Sequence, residues 1–178
     1  MTEPRPVPPG PGPSLPGEQA FSLHPFGGAA AEGGLRLEGR IRRQANHLRV
    51  RYRLSGDLGA VALPLASAEP PARADGLWEH TCFELFLAAE GQEPYWEVNL
   101  APTGDWNFYR LDGYRRGLRP ERDRETLPFS LIHTPEAVEV TLELELPEEL
   151  GWACRQSALQ LGVSAVIERR GGELSYWA

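Results

Sequence analysis

The chain has 178 residues and a mass of 19.7 kDa, and 41% of it is hydrophobic. That suits one folded domain with a real core and is too apolar for a wholly disordered protein. No apolar run approaches the ~20 residues of a membrane helix. A formal net charge of −7 argues against a role built on gripping phosphate backbones. All 18 basic residues are arginine. Without lysine, Schiff-base, lysine-nucleophile and P-loop mechanisms are excluded.

Residues 1–20 hold seven prolines and three glycines. Such a segment buries too little surface to offset its ordering entropy. It is expected to be a disordered Pro/Gly-rich arm, with residues 21–178 forming a single β-sandwich domain. The start lacks the apolar core of a signal peptide, so a cytoplasmic location is expected. Cys82 and Cys154 share no CxxC spacing and are expected to be reduced thiols.

After residue 20 the period is two. Leu35, Leu37 and Ile41 alternate with Arg36, Glu38, Arg40 and Arg42. Beyond the break Gln44-Ala45-Asn46, Leu48, Val50, Tyr52 and Leu54 alternate with Arg49, Arg51 and Arg53. This is a hairpin with one buried face.

The densest stretch is residues 78–114, which hold nine of the 16 aromatics. Three short strands are expected there, joined by the turns Gly91–Pro94 and Pro102–Asp105. In the first, Phe83, Leu85 and Leu87 oppose Cys82, Glu84 and Phe86. In the second, Trp96, Val98 and Leu100 oppose Tyr95, Glu97 and Asn99. In the third, Trp106, Phe108 and Arg110 oppose Asn107, Tyr109 and Leu111. Adjacent strands would present Glu84, Tyr95, Glu97, Asn99 and a residue of the third strand on one surface. Carboxylate, amide and phenol beside flat rings are what a sugar site needs. Planar acceptors take hydroxyl donors, and rings stack on C–H faces.

Further on, Val138, Val140, Leu142, Leu144 and Leu146 face one way and Glu139, Thr141, Glu143 and Glu145 the other. A helix would scatter these leucines, whereas a strand collects them. Cross-strand Arg–Glu pairs of roughly 0.2–1 kcal/mol each would form if this strand neighbours Arg49, Arg51 and Arg53. The alternative is two solvated faces that never meet. Pro147-Glu148-Glu149-Leu150 is the best helical signal, a single turn. Strands at Leu159–Ile167 and Leu174–Trp177 follow. Many strands and little helix indicate an all-β antiparallel sandwich or barrel.

The pattern Leu77-Trp78 … Phe83-Glu84-Leu85-Phe86-Leu87 … Tyr95-Trp96-Glu97-Val98-Asn99 … Pro102-Thr103-Gly104-Asp105-Trp106 … Tyr109 … Tyr114-Arg115 resembles the bacterial DOMON-like domain proteins. These are relatives of the family-nine carbohydrate-binding modules and of DOMON sensor domains. The resemblance is strongest over residues 73–118 and extends by strand order from Phe21 to the C-terminus. It implies a jelly-roll-like β-sandwich of about ten strands that binds a sugar or a haem on one sheet or at its edge.

Haem-binding members place a methionine and a histidine on the iron. Here the one methionine is Met1, in the Pro-rich arm, so the chain departs from that pattern. His24, His47, His80 and His133 show no ligand-pair spacing. His80, beside Trp78, is the best single candidate, although a lone histidine is more often a hydrogen-bonded surface residue. No metal and no cofactor is expected. By loose analogy with the modules' two-tryptophan clamp, Trp78 and Trp106 are candidates for stacking, with core packing as the alternative.

Glu84 and Glu97 could also form a glycosidase pair, which would need carboxylates ~5–5.5 Å apart in a retaining enzyme and separate environments for acid and base. The expected function is a non-catalytic binding module for a saccharide or similar polar ring ligand. Its expected contacts are Trp78, Glu84, Tyr95, Glu97, Asn99, Trp106 and Tyr109. The alternatives are a protein-interaction or homodimerising sandwich, and a glycoside-hydrolase-like enzyme using the two glutamates.

Overall fold

Period-two alternation gives each strand one apolar side, and two such sheets must close on each other to bury it. The computed structural model shows this arrangement, an antiparallel all-β sandwich. It describes residues 17–26, 34–64, 70–122 and 124–178. The strands are β1 (Glu18–Leu23), β2 (Arg36–Gln44), β3 (His47–Ser55), β4 (Cys82–Ala89), β5 (Tyr95–Leu100), β6 (Trp106–Leu111), β7 (Arg119–Pro120), β8 (Phe129–His133), β9 (Ala137–Glu145), β10 (Leu159–Glu168) and β11 (Leu174–Trp177). One short helix, α1 (Glu148–Ala153), follows β9. A five-stranded sheet runs β1-β2-β3-β9-β8, and a six-stranded sheet runs β11-β10-β4-β5-β6-β7.

The Glu18–Ala20 segment was expected in the arm and instead begins β1, paired with Arg40–Arg42 of β2. Pairing to a neighbouring edge supplies the hydrogen bonds that its own composition does not foretell. Residues 1–16 of the expected arm lie outside the described residues.

The core lies between the sheets. Leu48, Val50, Tyr52 and Leu54 of β3 and Val138, Val140, Leu142 and Leu144 of β9 face Phe83, Leu85 and Leu87 of β4 and Trp96, Val98 and Leu100 of β5. Tyr52 packs its ring on Phe83 at 5.4 Å and donates its hydroxyl to the Glu84 carbonyl at 2.7 Å. That bond satisfies a phenol in an apolar interior and ties the two sheets together.

β3 and β9 are neighbours, with Arg49 opposite Glu143 and Arg53 opposite Glu139. The two charge stripes therefore meet. Arg49 Nε lies 3.0 Å from Glu143 Oε1, Arg51 lies 3.8 Å from Glu139, and Arg53 also pairs with Glu139. Cys82 and Cys154 are free thiols.

Candidate functional site

The outer face of the six-stranded sheet is read off its register. β4, β5 and β6 are consecutive antiparallel neighbours. Glu84 lies opposite Asn99, and Asn99 opposite Asn107. In the next row Phe86 lies opposite Glu97, and Glu97 opposite Tyr109. Tyr95 follows, opposite Ala88 and Leu111. β10 adds Ser164 opposite Glu84 and Gly162 opposite Phe86. Exposed Tyr176 of β11, opposite Val166, stands at the edge.

A loop builds the wall beside β6. Ala72 and Ala74 form a short parallel bridge with Trp106, accepting from its N–H and donating to its carbonyl at 3.0 Å each. Asp75 then reaches over the face. Its Oδ1 accepts from the Tyr109 hydroxyl at 2.6 Å and from Asn107 Nδ2 at 3.0 Å. The one-turn 3-10 helix Leu77–Glu79 sets Trp78 edge-on to Tyr109, with ring centroids 5.9 Å apart. Trp78 is half-buried.

Glu84 and Glu97 are half-buried and have no arginine partner among the described residues. Glu84 Oε2 accepts from the Ser164 hydroxyl at 2.5 Å, and Glu97 Oε1 accepts from Asn99 Nδ2 at 2.9 Å. The second oxygen of each carboxylate has no hydrogen bond among the described residues. Neither of those oxygens is sealed from solvent, since no buried side-chain polar atom there is without a partner. Burial raises the pKa of Glu84 and, to the same side, of Glu97. The Ser164 and Asn99 hydrogen bonds partly oppose the rise, and the Glu97 charge adds to it at Glu84. Burial, then the Glu84 charge, also pushes the adjacent Cys82 thiol up, away from a reactive thiolate.

The structure therefore brings together Trp78, Glu84, Tyr95, Glu97, Asn99 and Tyr109, but with different exposures. Asn99 and Tyr109 are buried and brace the floor, whereas Trp78, Glu84, Tyr95 and Glu97 retain exposed surface. Trp106 is not among them. It faces the core at 3% exposure, with the Arg73 guanidinium 4.3 Å from its ring centre. The clamp of Trp78 with Trp106 is thus not formed, because strand parity sends Trp106 to the opposite side of the sheet from Asn107 and Tyr109.

Glu97 is opposite Phe86 rather than Glu84, so the pair is diagonal, roughly 7–8 Å apart at the backbone. Both acids are shifted upward, with burial the largest cause at each. His80 Nδ1 donates to Glu168 Oε2, 2.9 Å away, on an exposed surface. Among the described residues no cluster of three His, Cys, Asp or Glu is placed to hold a metal ion.

Asp75, Phe86, Asn107 and Ser164 also belong to the site. Phe86 and Asn107 share the parity of Glu84 and Tyr109, a signal present in the sequence. Ser164 and Asp75 arrive through the β4–β10 pairing and the 70–75 loop, which no local pattern encodes.

No family model matches the chain, and no curated protein matches it. Solved structures similar to it include the following two. One is a "putative carbohydrate-binding protein" from Bacteroides uniformis, 15% identical, with a TM-score of 0.48 over 80% of this chain and 69% of that one. The other is a family-nine carbohydrate-binding module from Caldicellulosiruptor kristjanssonii, solved with glucose, 11% identical, with a TM-score of 0.46 over 83% of this chain and 69% of that one. These are similarities of backbone arrangement, and the likeness to DOMON-like domains rests on the sequence motif.

Proposed function

We propose that the protein is a non-catalytic binding module for a saccharide or a similar polyhydroxylated ring, held on the outer face of the six-stranded sheet. The observation that carries this reading is the pair of half-buried carboxylates, Glu84 and Glu97, each with one oxygen left to accept a hydrogen bond. Hydroxyl groups of a sugar are donors of the right kind. In a partly desolvated site each such charged hydrogen bond is worth about 1.5–3 kcal/mol. Phe86 and Tyr95, half-buried with ring centroids 6.5 Å apart, supply apolar surface for the C–H face of a ring. Asn99 and Asn107 hold the floor rigid, so little ordering entropy is lost on binding. The motif of residues 77–115 supports a place among DOMON-like relatives of the carbohydrate-binding modules.

The test is titration calorimetry with neutral mono- and disaccharides chosen from a glycan array. Binding is expected in the native protein and weakened roughly tenfold or more in Trp78→Ala and Glu97→Gln variants that keep the native circular dichroism. A glycan array with no binder, or unchanged affinity in both variants, refutes the proposal.

A further inference from the structure

On the other side of the same sheet, α1 carries an anomaly. Trp152 leaves 58% of its surface exposed. It has no ring or cation partner among the described residues. The helix that carries it is nonetheless firmly seated. Leu150 is fully buried in the core. Glu149 accepts two hydrogen bonds from Arg110 of β6, Nε to Oε2 at 3.1 Å and Nη2 to Oε1 at 2.7 Å. Gly151 lies so close to the β2–β3 turn that a Cβ there would stand 3.2 Å from the Asn46 amide. Trp152 is therefore presented to solvent from a fixed position and does not reach it by fraying.

Beside it opens a cavity of about 340 Å³, lined by Trp152, Trp96, Pro94, Gln92, Gln156 and Ser157 among others. That volume is at the low end for small-molecule sites, roughly 300–1,000 Å³, and suits one or two rings rather than a long chain. Glu149 is the single ionisable residue of its lining, and a two-point pair with Arg110 neutralises its carboxylate. Gln92 and Gln156 make no side-chain hydrogen bond among the described residues, so both amides remain open to a ligand. Ser157 donates to the Ala153 carbonyl at 3.2 Å and keeps its lone pairs. One exposed indole face with amides and a hydroxyl around it matches a ring with an apolar face and a polar rim.

We infer that this cavity is a second ligand site, distinct from the Glu84–Glu97 face, for a small neutral hydroxylated ring stacked on Trp152. Neutrality follows from the lining, which has no free charge to pair with an ionic ligand and would leave one desolvated.

The experiment follows the tryptophan indole N–H signals by NMR, with Trp152 assigned from a Trp152→Phe variant. The probes are methyl glucoside, methyl galactoside and N-acetylglucosamine. A saturable shift of the Trp152 signal with at least one probe is expected, retained in a Trp78→Ala/Glu97→Gln double variant and lost in Trp152→Ala. Gln156→Ala, which removes no packing, should weaken the response even if Trp152→Ala fails to fold. No saturable shift with any of the three, or a response abolished by the double variant, overturns the inference. So does a concentration-dependent sedimentation coefficient that Trp152→Ala removes, since the surface would then bind another copy of the chain.

Discussion

Both sheets carry glutamates on their outer faces, and the two faces treat them in opposite ways. On β9, half-buried Glu139 and exposed Glu143 stand opposite the arginines of β3 and are neutralised by them. On β4 and β5, Glu84 and Glu97 face a serine and an asparagine, and burial raises their pKa values. The residue type is the same, and the side chains around it decide its role. A paired glutamate on an exposed strand adds a little stability and solubility. An unpaired, half-buried one costs desolvation, which a ligand supplying hydroxyl donors offsets.

The sharpest way to break this contrast is at Trp106. As a core residue, its replacement by alanine costs about 3–5 kcal/mol of stability, measured by denaturant unfolding. Were it a stacking residue, the loss would fall on binding and leave stability intact. Next in size are the unpaired carboxylates. Glu97→Gln should weaken saccharide affinity by roughly tenfold or more in calorimetry, because it exchanges a charged acceptor for a neutral amide. Equal affinity would place the ligand elsewhere.

A smaller effect lies in the pH dependence of stability. The folded state holds the Glu84 proton more tightly than the unfolded chain does. This contribution is therefore fully present below the ordinary carboxylate range and is lost as pH rises through the raised folded value. Glu84→Gln removes the titration. Its melting temperature relative to the native protein should be higher at neutral pH than in acid, by roughly 2–4 °C per kcal/mol relieved. A difference independent of pH would show that Glu84 does not titrate abnormally. The smallest effect belongs to the paired face. A double-mutant cycle on Arg49 and Glu143 should return about 0.2–1 kcal/mol and shrink with added salt. A coupling energy of several kcal/mol would erase the contrast between the faces.

Much of this architecture is legible in the residues. Leu48–Leu54 and Val138–Leu144 read as strands because each has one wholly apolar side, and a slip of one residue would expose it. β8 escapes such reading. It is an edge strand of five residues, paired with β9 alone, and its Phe129 and Leu131 are only half-buried. At the site, the parity of Glu84, Tyr95, Glu97 and Asn99 is written in the chain. So is the parity of Trp106, which the attraction of a two-tryptophan clamp obscures.

The sequence alone determined which residues share a face, because side-chain alternation is local and has a fixed period of two. It also determined the available chemistry: no lysine, carboxylates and amides in one dense aromatic stretch, and arginines spread along solvent-facing positions. Only the tertiary structure decided which faces meet. It put β9 beside β3, where the charge stripes cancel, and β10 beside β4, where Ser164 meets Glu84. It brought Asp75 and Trp78 over Tyr109 and fixed Trp152 outward on α1. These are contacts between segments far apart in the chain. Nothing in a local pattern specifies them, and the burial of the whole core selects them.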